Sequence, residues 1–233
     1  MIDPVALLDL TTLEDDDTPE KVRALCAKAQ TPRGPVAAVC ILPGLAAVAV
    51  EELQGTPVKV ATVANFPDGD YDPTGAAATA AQAVADGVDE VDVVAPWRSV
   101  LDGDDEALAR LVAATAEACQ GRTLKVILET GSHPDPLTTR AMADAALTAG
   151  ADFLKTSTGK VGPGASLGAA RVLLEAVRDH GSGGVKVSGG VRTAEQADDY
   201  VRLVASILGE EAVTPERFRI GASSLLDALL AER

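Results

Sequence analysis

The sequence predicts an α/β fold, a single-domain (β/α)8 TIM barrel over residues 1–233. Short apolar, β-like runs alternate with longer Ala-rich stretches of helical period. Their starts lie about 30 residues apart, the length of one strand-plus-helix unit. No remaining segment is long enough for a second domain, and eight such units fit a closed barrel.

Each unit is read from its own strand and helix signals. The predicted strands cover residues 6–10, 36–41, 58–66, 90–96, 124–130, 153–158, 185–190 and 217–223. The predicted helices cover residues 18–30, 44–53, 73–86, 104–119, 135–149, 166–180, 193–208 and 223–231. Thr18 followed by Pro19 is typical of a helix start, and Thr193 with Gln196 predicts a capping box. Glycines that are typical of helix ends close several units: Gly87, Gly121, Gly150 and Gly181.

The alternative α/β fold is a doubly wound open sheet. That fold predicts a glycine-rich phosphate fingerprint after the first strand, but this segment reads LDLTTLEDDD. The chain also contains no G-x-x-x-x-G-K-[ST] motif. The sequence therefore favours the barrel.

Composition limits the classes of partner. The chain has 20 Lys plus Arg against 35 Asp plus Glu, a net charge of −15. Such a surface repels phosphate backbones and anionic headgroups, so we expect no nucleic-acid or membrane partner. The sequence has neither a membrane-length apolar run nor a secretory signal. Three scattered cysteines without a CxxC motif predict reduced thiols in a cytoplasmic protein, and no metal or other cofactor is indicated.

Two lysines lie near the ends of neighbouring predicted strands. Lys155 is in the sixth and Lys186 in the seventh, and adjacent strands are about 4.8 Å apart. If both point into the barrel, a nearby cation and burial lower the lysine pKa and yield a free amine. A free amine attacks carbonyl carbon and forms a Schiff base. The alternative is that strand lysines extend to solvent, which we expect of Lys59 and Lys125.

Asp92 is the predicted acid of this site. It alternates with Val91 and Val93 in a strand covered on both faces, so it is expected to point inward, pair with a lysine and relay protons. A purely structural ion pair is the alternative. Asp89 and Glu90, at the start of the strand, are expected to be solvated.

Two glycine turns before predicted helices indicate an anion site. SGGVRT supplies Gly189, Gly190 and Arg192, and GASSLL supplies Gly221, Ser223 and Ser224. Backbone N–H groups at a helix start bind phosphate, and barrels often place phosphate after strands seven and eight. Lys160, in TGKVGPG, adds a positive charge.

Other reactive side chains are assigned smaller roles. Cys40 ends the second predicted strand and is expected to border the cavity, with a buried apolar role favoured over a nucleophilic one. Glu129 ends the fifth strand and ranks behind Asp92 as a base. His133 and His180 are expected to be solvated.

The motifs together resemble the deoxyribose-phosphate aldolase family. In chain order they are LDLTTLEDDDTPEKVRALC, AAVCILP, VKVATVANFPDGD, DGVDEVDVVAPWRSVLDGD, LKVILETG, AGADFLKTSTGK, GVKVSGGVRTAEQADDY and RFRIGASSLL. They run through nearly the whole chain, and KTSTGK combined with K-x-SGG-x-RT is a specific pair of motifs.

The resemblance implies a class I aldolase that works without a metal. It would reversibly cleave 2-deoxy-D-ribose 5-phosphate into D-glyceraldehyde 3-phosphate and acetaldehyde. Lys155 would form the Schiff base, Lys186 would perturb its pKa, and Asp92 would relay protons through water. Asp9, Thr11 and Thr158 would surround the sugar hydroxyls and the imine. Phosphate would bind at Gly159, Lys160, Gly189, Gly190, Arg192, Gly221, Ser223 and Ser224. A homodimer is the expected assembly.

Two departures from the family pattern bear on rate and acceptor range. Some members carry a C-terminal tail ending in a tyrosine that is thought to assist proton transfer, whereas this sequence ends LLDALLAER. After the second strand, Gly44 stands where an aromatic or basic residue is usual. Two rival functions stay open: a phosphosugar isomerase with Glu129 as base, and a phosphosugar-binding barrel without turnover.

Overall fold

The computed structural model describes residues 3–133 and 135–231, and at its centre is a closed barrel of parallel strands. Each strand pairs with the next along the chain, and the last closes on the first. The barrel strands are β1 Leu8–Thr11, β2 Ala38–Ile41, β3 Lys59–Ala64, β4 Glu90–Val94, β5 Thr123–Ile127, β6 Phe153–Lys155, β7 Gly184–Ser188 and β8 Phe218–Ala222. The predicted (β/α)8 fold is confirmed. The last two residues of LLDALLAER lie outside the described part.

Helices follow the strands and surround the barrel. They are α1 Pro19–Lys28, α2 Ala46–Glu52, α3 Pro73–Ala85, α4 Ala107–Ala118, α5 Pro136–Thr148, α6 Leu167–His180, α7 Ala194–Leu208 and α8 Leu225–Ala231. A short helix, Trp97–Leu101, precedes α4, and a small hairpin pairs Gln30–Thr31 with Gly34–Pro35. In the described ranges no helix is long and apolar enough to cross a membrane.

The helix caps follow the local sequence signals. The Thr18 side chain accepts a hydrogen bond from the Lys21 N–H at the start of α1. Thr193 and Gln196 form the reciprocal capping box at the start of α7. These caps satisfy N–H groups that have no partner within the helix, so both predicted starts are confirmed.

The predicted boundaries differ where loops carry their own structure. The sixth strand ends at Lys155 rather than at residue 158, because Thr158 begins a turn in which its Oγ1 accepts the N–H groups of Lys160 and Val161. The helix predicted from residue 104 begins at Ala107. Both differences lie at the loop end of the barrel, where chain direction is set by turns rather than by periodicity.

Alternation along the strands separates two buried layers. Val91 and Val93 face outward into the apolar layer under the helices, and both are fully buried. Asp92 lies between them on the opposite face and points into the barrel, where it is also fully buried. The interior of this barrel therefore contains buried charged side chains, while its larger hydrophobic core lies between the strands and the helices.

Candidate active site

The strand register brings the predicted lysine pair together. Lys155 of β6 is the direct cross-strand partner of Lys186 of β7, and Asp92 of β4 is the partner of Lys125 of β5. Residues in register on parallel strands point to the same face. These three lysines and the Asp92 carboxylate therefore all point into the barrel interior, at adjacent positions along the barrel axis.

Asp92 is the centre of the cluster. Its Oδ2 accepts hydrogen bonds from Lys155 Nζ and Lys186 Nζ, both at 2.7 Å, and its Oδ1 accepts one from Lys125 Nζ at 2.8 Å. Burial alone would raise the pKa of Asp92, but the three lysines hold it well below its ordinary value. Asp92 is therefore a carboxylate that links three amino groups.

The two predicted lysines are in different electrostatic states. Burial lowers the pKa of Lys155; Asp92 opposes this effect, Lys186 adds to it, and the pKa lies below its ordinary value. Burial also acts on Lys186, but contacts with Asp9 at 2.6 Å and Asp92 at 2.7 Å raise its pKa well above the ordinary value. Lys186 is thus an ammonium ion beside Lys155, which is the amine nucleophile candidate.

Lys125 and Glu90 are buried, so the expectation that both are solvated was wrong. Lys125 Nζ lies 2.6 Å from Glu90 Oε2, and Arg219 joins Glu90 at 2.9 Å to Asp9 at 2.7 Å. Glu90 shares the parity of Asp92, so the argument that turned Asp92 inward applies to it as well. Arg219, between Phe218 and Ile220, could have been found by the same signal.

The charges of this buried network balance without Lys155. It contains three carboxylates and three other basic groups in contact with them: Asp9, Glu90, Asp92, Lys125, Lys186 and Arg219. Taking an unbalanced charge into a barrel interior costs several kcal/mol. A protonated Lys155 would add such a charge, whereas its free amine leaves the network neutral.

A cavity of about 210 Å³ opens above Lys155 at the carboxyl ends of the strands. It gathers the residues predicted for phosphate and most of those predicted near the sugar: Thr11, Thr158, Gly159, Lys160, Gly189, Gly190, Arg192, Gly221, Ser223 and Ser224. Lys155 also lines it, with 3% of its surface exposed. Sequence reasoning missed Glu14 and Ser188, which line the same cavity.

Asp9 and Cys40 are not among the lining residues. Asp9 is fully buried below the cavity, where it contacts Lys186 and Arg219, and these cations hold its pKa low although burial acts to raise it. Cys40 is fully buried in a small apolar cluster, and burial raises the pKa of its thiol. The charges of Lys186 and Lys155 also act on this thiol, so Cys40 lies close to the site and its role beside the cavity stays a prediction. Gly44 lies in a 3-10 turn outside the lining.

Glycine allows the cavity loops to approach closely. Gly189 has a φ of +84°, and a Cβ there would meet the Cα of Gly164 at 2.9 Å and that of Gly159 at 3.5 Å. At Gly221 a Cβ would meet Ser188 Oγ and, at 3.0 Å, Lys186 Cε. Side chains at these positions would fill the cavity or displace the lysine.

Glu129 lies beside the cavity and does not line it. Its Oε2 accepts the backbone N–H of Thr158 at 3.1 Å, its φ is +52°, and burial raises its pKa. His133, expected to be solvated, is 4% exposed, and its Nε2 lies 2.6 Å from the Leu128 carbonyl oxygen. Within residues 3–133 and 135–231, no group of three or more His, Cys, Asp or Glu side chains is arranged to hold a metal ion.

Comparison with known proteins identifies the family whose sequences this chain matches. A family model described as DeoC/LacD family aldolase matches residues 5–231. A candidate deoxyribose-phosphate aldolase from Coccidioides immitis is 32% identical, with a TM-score of 0.86, over 97% of this chain and 84% of the other. The tetrameric deoxyribose phosphate aldolase from Aeropyrum pernix is 28% identical, with a TM-score of 0.82, over 97% and 89% of the respective chains. The site described above therefore lies in a chain that is similar to aldolases along nearly all of its length.

Proposed function

The chain belongs to the DeoC/LacD family of aldolases and is a carbon–carbon lyase, and from this premise we propose that it reversibly cleaves 2-deoxy-D-ribose 5-phosphate to D-glyceraldehyde 3-phosphate and acetaldehyde through a Schiff base on Lys155. The observation that carries the proposal is the buried amine of Lys155 at the base of the cavity, with its lowered pKa and a neighbouring ammonium ion. We also propose that the protein is a cytoplasmic homodimer.

In the condensation direction, the Lys155 amine attacks the carbonyl carbon of acetaldehyde. The C–N bond forms as the carbonyl π electrons move to oxygen, and loss of water gives an iminium ion. Lys186 and Asp92 are the groups that can supply and accept protons around the nitrogen, because Lys155 Nζ and Lys186 Nζ each lie 2.7 Å from Asp92 Oδ2. The cationic iminium replaces a neutral amine, and the adjacent Asp92 carboxylate stabilises it.

Carbon–carbon bond formation requires a proton to leave the methyl group. In the proposed step a water passes this proton to the Asp92–Lys186 pair, and the C–H electrons form an enamine. The enamine carbon then attacks the aldehyde carbon of glyceraldehyde 3-phosphate, whose oxygen takes up a proton. Hydrolysis of the new iminium releases the sugar phosphate and restores the Lys155 amine.

The phosphate end of the substrate fits the outer part of the cavity. Lys160 and Arg192 supply two positive charges there, and the Gly189–Gly190 turn supplies backbone N–H groups before α7. Positive side chains and a helix start are the usual groups that hold a phosphate in a barrel. The net negative charge of the protein repels anions. Lys160 and Arg192 would provide the local positive charge that attracts the substrate phosphate.

The isomerase alternative depends on Glu129 as its base. Glu129 is engaged with the Thr158 N–H and does not line the cavity, whereas an isomerase base must reach the substrate carbon. The Lys155 amine lines the cavity and is the group that a carbonyl compound would meet.

Turnover tests the proposal. We expect the wild-type protein to release acetaldehyde from 2-deoxyribose 5-phosphate, measured by coupled reduction of the acetaldehyde with NADH. Lys155→Met keeps much of the side-chain volume and should abolish release. Lys59→Met, at an exposed strand lysine, is the matched control and should retain full activity. Full turnover by Lys155→Met would overturn the proposal.

A further inference from the structure

Glu14 places a negative charge at the anion cavity. It follows β1 in the loop LEDDD, lines the cavity, and its Oε2 lies 2.9 Å from Lys160 Nζ. Lys160 is one of the two cations predicted to bind phosphate. The ion pair therefore joins a carboxylate to the group that a phosphate would need.

Hydrogen bonds within the loop hold the backbone of Glu14, and its side chain, 66% exposed, reaches Lys160 from there. The Asp17 carboxylate accepts the Thr12 hydroxyl at 2.8 Å and the Glu14 N–H at 2.9 Å, which closes the turn after β1. Asp16 is bound to Lys21 at 2.8 Å, away from the cavity lining. Of this acidic run, Glu14 is the member that faces the cavity.

The backbone of Lys160 is held by contacts within its own loop and with the loop that follows β7. Thr158 Oγ1 accepts the Lys160 N–H at 3.0 Å, and the preceding Gly159, with a φ of +78°, packs against Gly189. Arg192 lines the same cavity, and in the described part of the chain no carboxylate lies within ion-pair distance of it. Among the described residues, Lys160 is therefore paired with a carboxylate and Arg192 is not.

We propose that Glu14 sets the preference of this aldolase between phosphorylated and unphosphorylated acceptor aldehydes, because its carboxylate competes with a substrate phosphate for Lys160. This inference rests on the function proposed above. A phosphate dianion that takes Lys160 leaves the Glu14 carboxylate unpaired beside a second negative group. A neutral acceptor leaves the Glu14–Lys160 pair intact, so no unpaired lysine remains in the cavity. Glu14 therefore weakens phosphate binding and lowers the cost of accepting a neutral aldehyde.

Glu14→Gln tests this role directly, with inorganic phosphate as the probe. Both partners are partly exposed, so we expect the variant to bind phosphate about two- to fivefold more tightly by titration calorimetry at low salt. The ratio of kcat/KM for glyceraldehyde 3-phosphate to that for glyceraldehyde should rise by the same factor. Asp15→Asn removes an identical charge from the next residue, which does not line the cavity, and should leave both values at the wild-type level.

A double variant separates the ion pair from general repulsion. In a Lys160→Gln background, Glu14→Gln should raise phosphate affinity by a smaller factor, because the competition for Lys160 is gone and only the general repulsion by Glu14 is left. Unchanged affinity in the single variant, an equal gain in Asp15→Asn, or an undiminished gain in the Lys160→Gln background would each overturn the inference. Reductive trapping of acetaldehyde on the same variants reports the proposed function separately, since it requires Lys155 and no phosphate.

Discussion

Replacing Lys186 with methionine removes one ammonium group from the buried network and keeps most of the side-chain volume. Lys155 Nζ and Lys186 Nζ each lie 2.7 Å from Asp92 Oδ2, so they are at most about 5.4 Å apart, twice that distance. At an effective dielectric constant of about 20, two positive charges at this separation repel by about 3 kcal/mol. The repulsion disfavours protonated Lys155, so its loss raises the Lys155 pKa.

The structure gives a second reason for the same direction. Without Lys186, Asp9 and Asp92 each lose a cation, and Asp92 then stabilises the Lys155 ammonium more strongly. About 3 kcal/mol corresponds to a decrease of up to roughly a hundredfold in the fraction of free amine at pH 7. We expect kcat/KM to fall by up to that factor at pH 7 and the deficit to shrink as the pH rises.

The assay is the pH profile of kcat/KM for Lys186→Met, with Lys59→Met as the control. Because the free amine is the reactive form, activity rises as the pH passes the Lys155 pKa, and this limb should move to higher pH in the variant. The position of the limb does not depend on how much protein is folded. A variant with an unchanged limb and unchanged activity at pH 7 would refute the reasoning.

Three further predictions concern the buried charge network and the glycine turn at the cavity. Lys125→Met leaves Asp92 without one of its buried cations, so its free energy of unfolding in urea should fall by about 3 kcal/mol, and wild-type stability would contradict the buried pairing. Gly189→Ala should weaken phosphate binding by more than Gly190→Ala, because both glycines have positive φ but only the first methyl group meets a facing backbone; equal losses in calorimetry would argue against that packing. The Asp9 pKa is lowered in the folded state, so its contribution to stability is complete above about pH 4 and is lost as the pH falls toward the folded value, which thermal melts in acid would show as a falling Tm.

Strand periodicity was sufficient to predict the barrel and the direction of its main catalytic candidates. Asp92 alternates with two valines, and Lys155 and Lys186 lie at the ends of consecutive strands, so parity and strand order place them together. These are local rules that hold whatever the rest of the chain does.

For Lys125 and Glu90, the same reasoning predicted solvent exposure, whereas both side chains are buried. Both stand near strand starts, which in a flat sheet would be close to solvent. Barrel strands are staggered, and Lys125 lies level with Asp92 although Ile127, two residues later, is the partner of Lys155. Alternation predicts that Glu90 points inward, but the level at which Glu90 and Lys125 meet Asp92 follows from this stagger, which residue order alone does not reveal.

Glu14 could not be predicted for a different reason. Its loop is shaped by the Asp17 hydrogen bonds, and its partner Lys160 lies far away in sequence on another loop. An exposed acidic run is ordinarily a solvated surface, and only the assembled barrel mouth brings Glu14 to a cation. The meeting of two loops is a tertiary fact, whereas each cap or turn is local.

The most direct test of the account is reduction with borohydride in the presence of acetaldehyde, followed by peptide mass mapping. We predict one ethyl group added to Lys155 and none to Lys186, since the first is the accessible amine and the second is a buried ammonium ion. An ethyl group on Lys186, or folded protein that carries no adduct on Lys155, would contradict the central claim.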